Sequence, residues 1–218
     1  MTERLRLVVF DWDGTLADSA AIIAESIQEA CRDLGLDVPD ETRAKYVIGL
    51  GLRDAVAHVA PGIPSARQLE LAERYRHHYL ARDPGIRLFR GAVELLDMLA
   101  ARGASLAIAT GKSRIGLARA LEQTGLGARF QATRCADEGF AKPHPDMLLH
   151  LLDRLDVAPE AALMVGDTTH DLQLAHNAGV RGVAVSWGAH PAAALLELKP
   201  AACFSAMPQL HQWLAAHP

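Results

Sequence analysis

Hydrophobic positions along the chain follow two rhythms. Residues 7–10 form an unbroken apolar run that stops at Asp11, Trp12 and Asp13. A short continuous run of this kind reads as a strand buried on both faces. Beyond it, Ile22, Ile23, Ile27, Ala30, Cys31 and Leu34 recur at helical spacing, with Ser19 placed to cap the start and Gly35 to end it. The pattern stays helical to about Arg87, with segments after Asp40, over 52–60 and over 65–82. From Gly91 onward strands and helices alternate. Helices are predicted at 91–103, 113–125, 145–155 and 169–179, and buried strands at 104–110, 130–137, 162–166 and 180–186; a last strand and helix fall near 201–205 and 207–216.

Alternating short apolar strands and amphipathic helices predict an α/β fold, a doubly wound parallel sheet covered on both faces. Residues 19–87 are far more than one crossover needs, and they hold no convincing strand. They are expected to form an inserted helical cap on a catalytic core made of 1–18 and 88–218. Loops near Asp18–Ala20 and Arg87–Gly91 would then be its hinges.

Composition narrows the function. The 218 residues are 50% hydrophobic with a formal charge of −4, which suits a globular chain and offers no basic footprint for nucleic acid. No apolar stretch is long enough to span a membrane, so membrane partners are not expected. Cys31, Cys135 and Cys203 stand in no metal spacing and read as reduced thiols of a cytoplasmic protein.

Ligands of open parallel sheets bind beyond the carboxyl ends of the strands. There the sequence supplies Asp11 and Asp13, then Thr110-Gly111-Lys112-Ser113, then Lys142 in "AKPHPD", then Asp167 and Asp171 in "GDTTHDL". Several carboxylates in one small volume repel each other unless a cation joins them, and Mg²⁺ favours such oxygen donors. A hydroxyl and amides at a helix start suit phosphate, and a lysine neutralises charge on the same group. Four lysines stand against eighteen arginines, and two of the four fall in these stretches. Lys112 is open to either a functional or an exposed first-turn reading. His170 matches no required role and is expected to face solvent.

"DWDGTLADS", "ATGKS", "KPHPD" and "GDTTHDL" resemble, in order, the four motifs of the haloacid-dehalogenase-like hydrolases, in the phosphoglycolate-phosphatase-like branch with a helical cap. The resemblance implies that Asp11 is a nucleophile and Asp13 the acid/base. It implies that Thr110, Gly111 and Lys142 hold phosphate. Asp11, Asp167 and the Asp13 carbonyl would hold Mg²⁺, and Asp171 would orient the lysine or metal-bound water. Gly111 stands where Asn is common in the family, and Trp12 where Phe is commoner, the latter expected to matter for packing alone. "VIGLGLRD", residues 47–54, is similar to the cap segment that lies over the active site, and Arg53 is a weak candidate for a substrate-carboxylate contact.

The expected activity is therefore Mg²⁺-dependent hydrolysis of a small phosphate monoester by a monomer or homodimer. A phosphomutase shares Asp13 and stays open as the alternative. A 2-haloacid dehalogenase lacks that second acid, and a phosphonate hydrolase lacks it and needs a cap lysine, for which Lys45 is the sole candidate. A non-catalytic binding protein of the same fold is the reading from another class.

Overall fold

The computed structural model describes residues 4–216. Six strands pair in parallel in the order β3-β2-β1-β4-β5-β6: β1 (Leu7–Phe10), β2 (Ser105–Thr110), β3 (Ala132–Cys135), β4 (Ala162–Gly166), β5 (Arg181–Val185) and β6 (Ala202–Phe204). β1 lies at the centre, and its side chains alternate between two cores, as period-two geometry requires. Val8 and Phe10 join Leu106, Ile108, Leu163 and Val165 on one face. There α5 (Ala92–Ala101), α6 (Arg114–Thr124) and α10 (Met207–Ala216) supply Leu95, Leu99, Leu117, Leu210 and Leu214. Leu7 and Val9 face the other way, with Ala107, Ala109 and Met164, beneath α7 (Asp146–Leu155) and α8 (Thr169–Asn177). The small α9 (Ala192–Glu197) covers Ala184 through Leu195.

Between β1 and α5 the chain forms α1 (Ala20–Asp33), α2 (Glu41–Tyr46), α3 (Leu52–Val59) and α4 (Ser65–Arg82), with no ladder strand among them. These helices pack around their own apolar cluster, which includes Ile23, Ile27, Val56, Val59, Leu71 and Tyr79. Burying side chains of this size contributes roughly 1.5–3 kcal/mol each, enough for four helices to hold one another. The Asp40 carboxylate caps α2 by accepting from the Arg43 amide at 2.7 Å. Ser19 precedes α1 but does not cap it with its side chain. Its hydroxyl is used elsewhere, as described below.

The helical segment leaves and re-enters the sheet side by side. The Asp18 amide donates to the Arg87 carbonyl at 2.9 Å, and the Phe89 amide to the Leu16 carbonyl at 2.9 Å. Ala17 and Leu88 form an antiparallel bridge between these hydrogen bonds.

Candidate active site

Strand register brings the four charged stretches to one edge. Phe10 is level with Ile108 on one side and Val165 on the other, so Asp11, Thr110 and Asp167 all emerge at the carboxyl ends of neighbouring strands. The Asp11 amide continues the ladder by donating to the Val165 carbonyl at 2.9 Å. All three side chains are buried, as are Lys142 and Asp171.

Lys142 arrives from the loop between β3 and α7. Its ammonium donates to Asp11 Oδ1 at 2.7 Å and to Asp171 Oδ1 at 2.6 Å. Asp171 is fixed from behind by a capping box at the start of α8. The Thr168 hydroxyl donates to Asp171 Oδ2 at 2.7 Å, and the Thr168 amide to the same oxygen at 3.0 Å. Asp171 is thus both a helix-capping acid and the second anchor of the lysine. Asp167 accepts from the Thr15 hydroxyl at 2.7 Å and from the Ala189 amide at 2.7 Å. Gly14, at φ +82°, lets the chain pass so close that a Cβ there would stand 2.2 Å from Asp167 Oδ2.

Charge does not balance in this volume. One oxygen each of Asp11, Asp167 and Asp171 lie within 4.8 Å of one another, with Lys142 as the ammonium bonded to two of them. Burial pushes the Asp11 carboxyl up to about 7, against the pull of Lys142. Burial, and then the neighbouring Asp11 charge, raises Asp167 as well. For Lys142 burial acts downward, but Asp11 and Asp171 outweigh it and hold the ammonium charged. Asp11 Oδ2 is buried and has no hydrogen-bond partner among the described residues. Buried acceptors are ordinarily satisfied, so an orphaned carboxylate oxygen beside surplus negative charge suits a divalent cation and a reacting group. The donor set therefore fits Mg²⁺.

Asp13 stands apart from this cluster with its own partners. Its Oδ1 accepts from the Ser19 hydroxyl at 2.7 Å and pairs with the Lys112 ammonium at 3.1 Å. The Lys112 side chain is only 9% exposed, so the exposed first-turn reading does not hold. His170 is likewise buried, contrary to the solvent-facing expectation. Its Nε2–H donates to the Tyr46 carbonyl at 2.8 Å, where His190 Nε2–H also donates at 3.1 Å. Both contacts tie α2 to the sheet edge. Trp12 is buried within the sheet core, in line with a packing role.

The segment after α2 closes over the site. Gly111 approaches the Gly49 and Leu50 carbonyl oxygens so closely that a Cβ on it would lie 2.6 and 2.8 Å from them. Arg53, the second residue of α3, is exposed and takes no part in the hydrogen bonds that organise the site. Sequence alone assigns no site role to Thr15, Ser19, Thr168, Tyr79 and His190. Only Thr168 carried a usable signal, as a Thr followed three residues later by an acid.

A six-stranded parallel sheet with acids at the carboxyl ends of its central strands puts the cluster where open α/β folds bind their ligands. The chain belongs to the haloacid dehalogenase-like hydrolases, whose family model matches residues 8–185. It is 37% identical over 224 residues to a phosphoglycolate phosphatase of Rhodospirillum rubrum, covering 96% of this chain and 90% of that one. It is 34% identical over 185 residues to a 5'-nucleotidase of Pseudomonas aeruginosa, covering 83% and 82%. A solved hydrolase from Pseudomonas syringae superposes with a TM-score of 0.88 at 22% identity, covering 97% of this chain and 98% of that one. The protein is a phosphatase of this family. Among the described residues no helix is long and apolar enough to cross a membrane.

Proposed function

We propose that the protein hydrolyses a small phosphate monoester of the phosphoglycolate type, with Mg²⁺, through an aspartyl-phosphate on Asp11. The observation that carries this reading is the partnerless, buried Asp11 Oδ2, on a carboxylate whose other oxygen is clamped by Lys142. An oxygen held in place yet left without a hydrogen bond is poised for attack. Asp11 Oδ2 forms a bond to phosphorus while the ester P–O bond breaks, and the leaving oxygen takes the Asp13 proton. Water then attacks phosphorus and gives its proton to Asp13, the bond from phosphorus to Asp11 breaks, and inorganic phosphate departs. Thr110, the Gly111 amide and Lys142 bind the phosphoryl oxygens. Asp11, Asp167 and the Asp13 carbonyl would hold Mg²⁺, which supplies charge to shield the approach of two anions.

The helices from α1 to α4 act as a cap in this reading. The Val47–Gly51 stretch lies against Gly111, which supports a preference for small esters over bulky ones. Lys45, the candidate lysine of the phosphonate alternative, pairs with Glu41 at 2.6 Å along α2, which favours the phosphatase reading. Inorganic phosphate release from a panel of small esters, phosphoglycolate included, with Mg²⁺ or with EDTA, tests the proposal. Metal-dependent release concentrated on one carboxylated ester is expected. Transfer of the phosphoryl group to a sugar phosphate in preference to water would overturn it in favour of a mutase.

A further inference from the structure

Asp13 must face the leaving oxygen in one step and a water in the next, so its carboxylate needs a fixed direction. That direction is not set by Ser19 alone. The Lys112 ammonium lies 3.1 Å from Asp13 Oδ1 and donates to the Tyr79 hydroxyl at 2.7 Å. It also sits 4.8 Å from the centroid of the Tyr79 ring. Asp13 and Lys112 belong to the sheet edge, after β1 and β2, whereas Tyr79 belongs to α4 of the helical segment. The lysine therefore joins the two parts of the molecule at the acid/base itself.

Its backbone is held as firmly as its head. The Lys112 amide donates to the Thr110 hydroxyl at 3.2 Å, and the Lys112 carbonyl accepts from the Ala136 amide at 3.0 Å. Tyr79 is fixed in turn: it is buried and stacks on Tyr75 with centroids 5.8 Å apart, and the Asp83 carboxylate lies near its hydroxyl. Asp83 is itself buried, with Arg119 and Gln123 each 3.5 Å from its Oδ2. A long, flexible side chain ordered this way on three sides is not an ordinary surface lysine. Were α4 to move off the sheet, the ammonium would lose its tyrosine partner while keeping its carboxylate.

We propose that Lys112 is a positioning residue for Asp13, and that Tyr79 sets it, so that the acid/base is aligned only while α4 rests on the sheet edge. This rests on the phosphatase reading above. The lysine makes no bond to substrate and takes up no proton in either step; it aims the carboxylate that does.

The experiment compares the wild type with Tyr79→Phe and Lys112→Met on p-nitrophenyl phosphate by rapid mixing. Tyr79→Phe keeps the buried ring and removes only the hydroxyl, which guards against loss of the fold. Nitrophenolate departs without a proton, so formation of the aspartyl-phosphate does not need Asp13, whereas its hydrolysis does. Expected for both variants is a nitrophenolate burst at least as large as that of the wild type. The steady phase that follows should be slower by about tenfold to a hundredfold, the scale of a displaced catalytic group. On an alkyl phosphate, kcat should fall by a similar factor with KM little changed. Burst and steady phase reduced together would indicate general structural damage and overturn the assignment, as would variants that match the wild type. A wild type that releases no nitrophenolate or phosphate at all overturns the phosphatase reading, and this assignment with it.

Discussion

Gly111 and Gly49 meet backbone to backbone: a Cβ on Gly111 would lie 2.6 Å from the Gly49 carbonyl oxygen. A side chain there cannot turn aside, because its neighbour is main chain. Gly111→Ala should push the Val47–Gly51 stretch away from the sheet edge while leaving the sheet intact. The expected result is a roughly tenfold loss in kcat/KM for small esters with a modest fall in melting temperature, since Val47 and Ile48 of that stretch belong to the apolar cluster of the helical segment while the sheet core is untouched. Steady-state kinetics beside a thermal melt checks both halves.

Lys142 is the ammonium that bonds both Asp11 and Asp171. Removing one partner of a buried charge cluster leaves the others uncompensated, at a cost of about 3–5 kcal/mol. Lys142→Met should therefore be among the most destabilising single changes in the sheet-edge loops. Urea unfolding without metal measures it, and a loss under about 1 kcal/mol would contradict the buried-cluster description.

Asp11→Asn keeps the shape of the side chain and halves the role of its carboxyl. Turnover should fall by about a thousandfold or more, as when a nucleophile is removed elsewhere. The amide carries no charge to bury, so the metal-free fold should be as stable as the wild type or more so. Activity surviving at wild-type level would rule out Asp11 as the attacking group.

Mg²⁺ should bind the folded chain and stabilise it. A ligand at about one hundred times its Kd adds roughly 2.7 kcal/mol, so the melting temperature should rise with Mg²⁺ and fall back with EDTA. Asp167→Asn should shrink that rise. A melting temperature indifferent to Mg²⁺ in the wild type would argue against the carboxylate set as its ligands.

The Tyr46 carbonyl accepts from two imidazoles, and this makes closure of α2 sensitive to acid. Burial lowers the His170 pKa from its ordinary 6.5, and burial with the neighbouring His170 lowers that of His190. The Thr169 amide donates to His190 Nδ1 at 3.0 Å, so a proton on that nitrogen would face an N–H. Tyr46 and His58 face the pair from the helical segment, and Asp171 and Lys142 from the sheet edge. Because the unfolded imidazoles bind protons more readily, their contribution is full above about 6.5 and is lost as pH falls toward the lowered folded values. The histidine part of the thermal stability should drop between about pH 7 and pH 5; protonation of Asp11, raised to about 7, and of Asp167 acts the other way over that range, so the drop is read as the difference between the wild type and His190→Gln.

Much of the molecule could be read from its residues. The strand at 162–166 and the helix at 65–82 coincide with β4 and α4, because long periodic runs and short apolar ones are governed by local rules. Asp11, Thr110, Lys142, Asp167 and Asp171 meet as expected because each ends a strand or follows one at the same sheet edge. His170 and Lys112 were harder for one shared reason. Each is buried by a partner from the helical segment, Tyr46 in one case and Tyr79 in the other, far away along the chain. Periodicity reports which way a residue points within its own element, and says nothing about what a distant helix will lay on top of it. Ser19 shows the converse: a residue suited to capping gave its hydroxyl to Asp13 instead.

The paired connectors, with Asp18 bonded to Arg87 and Phe89 to Leu16, make the helical segment separable in a genetic sense. Its two ends enter and leave the sheet side by side, joined by two backbone hydrogen bonds, so the strands stay paired whatever chain runs between them. A chain built this way can exchange its helical segment and keep its strands paired, but each exchange also replaces Tyr79, the tyrosine that holds Lys112 beside Asp13.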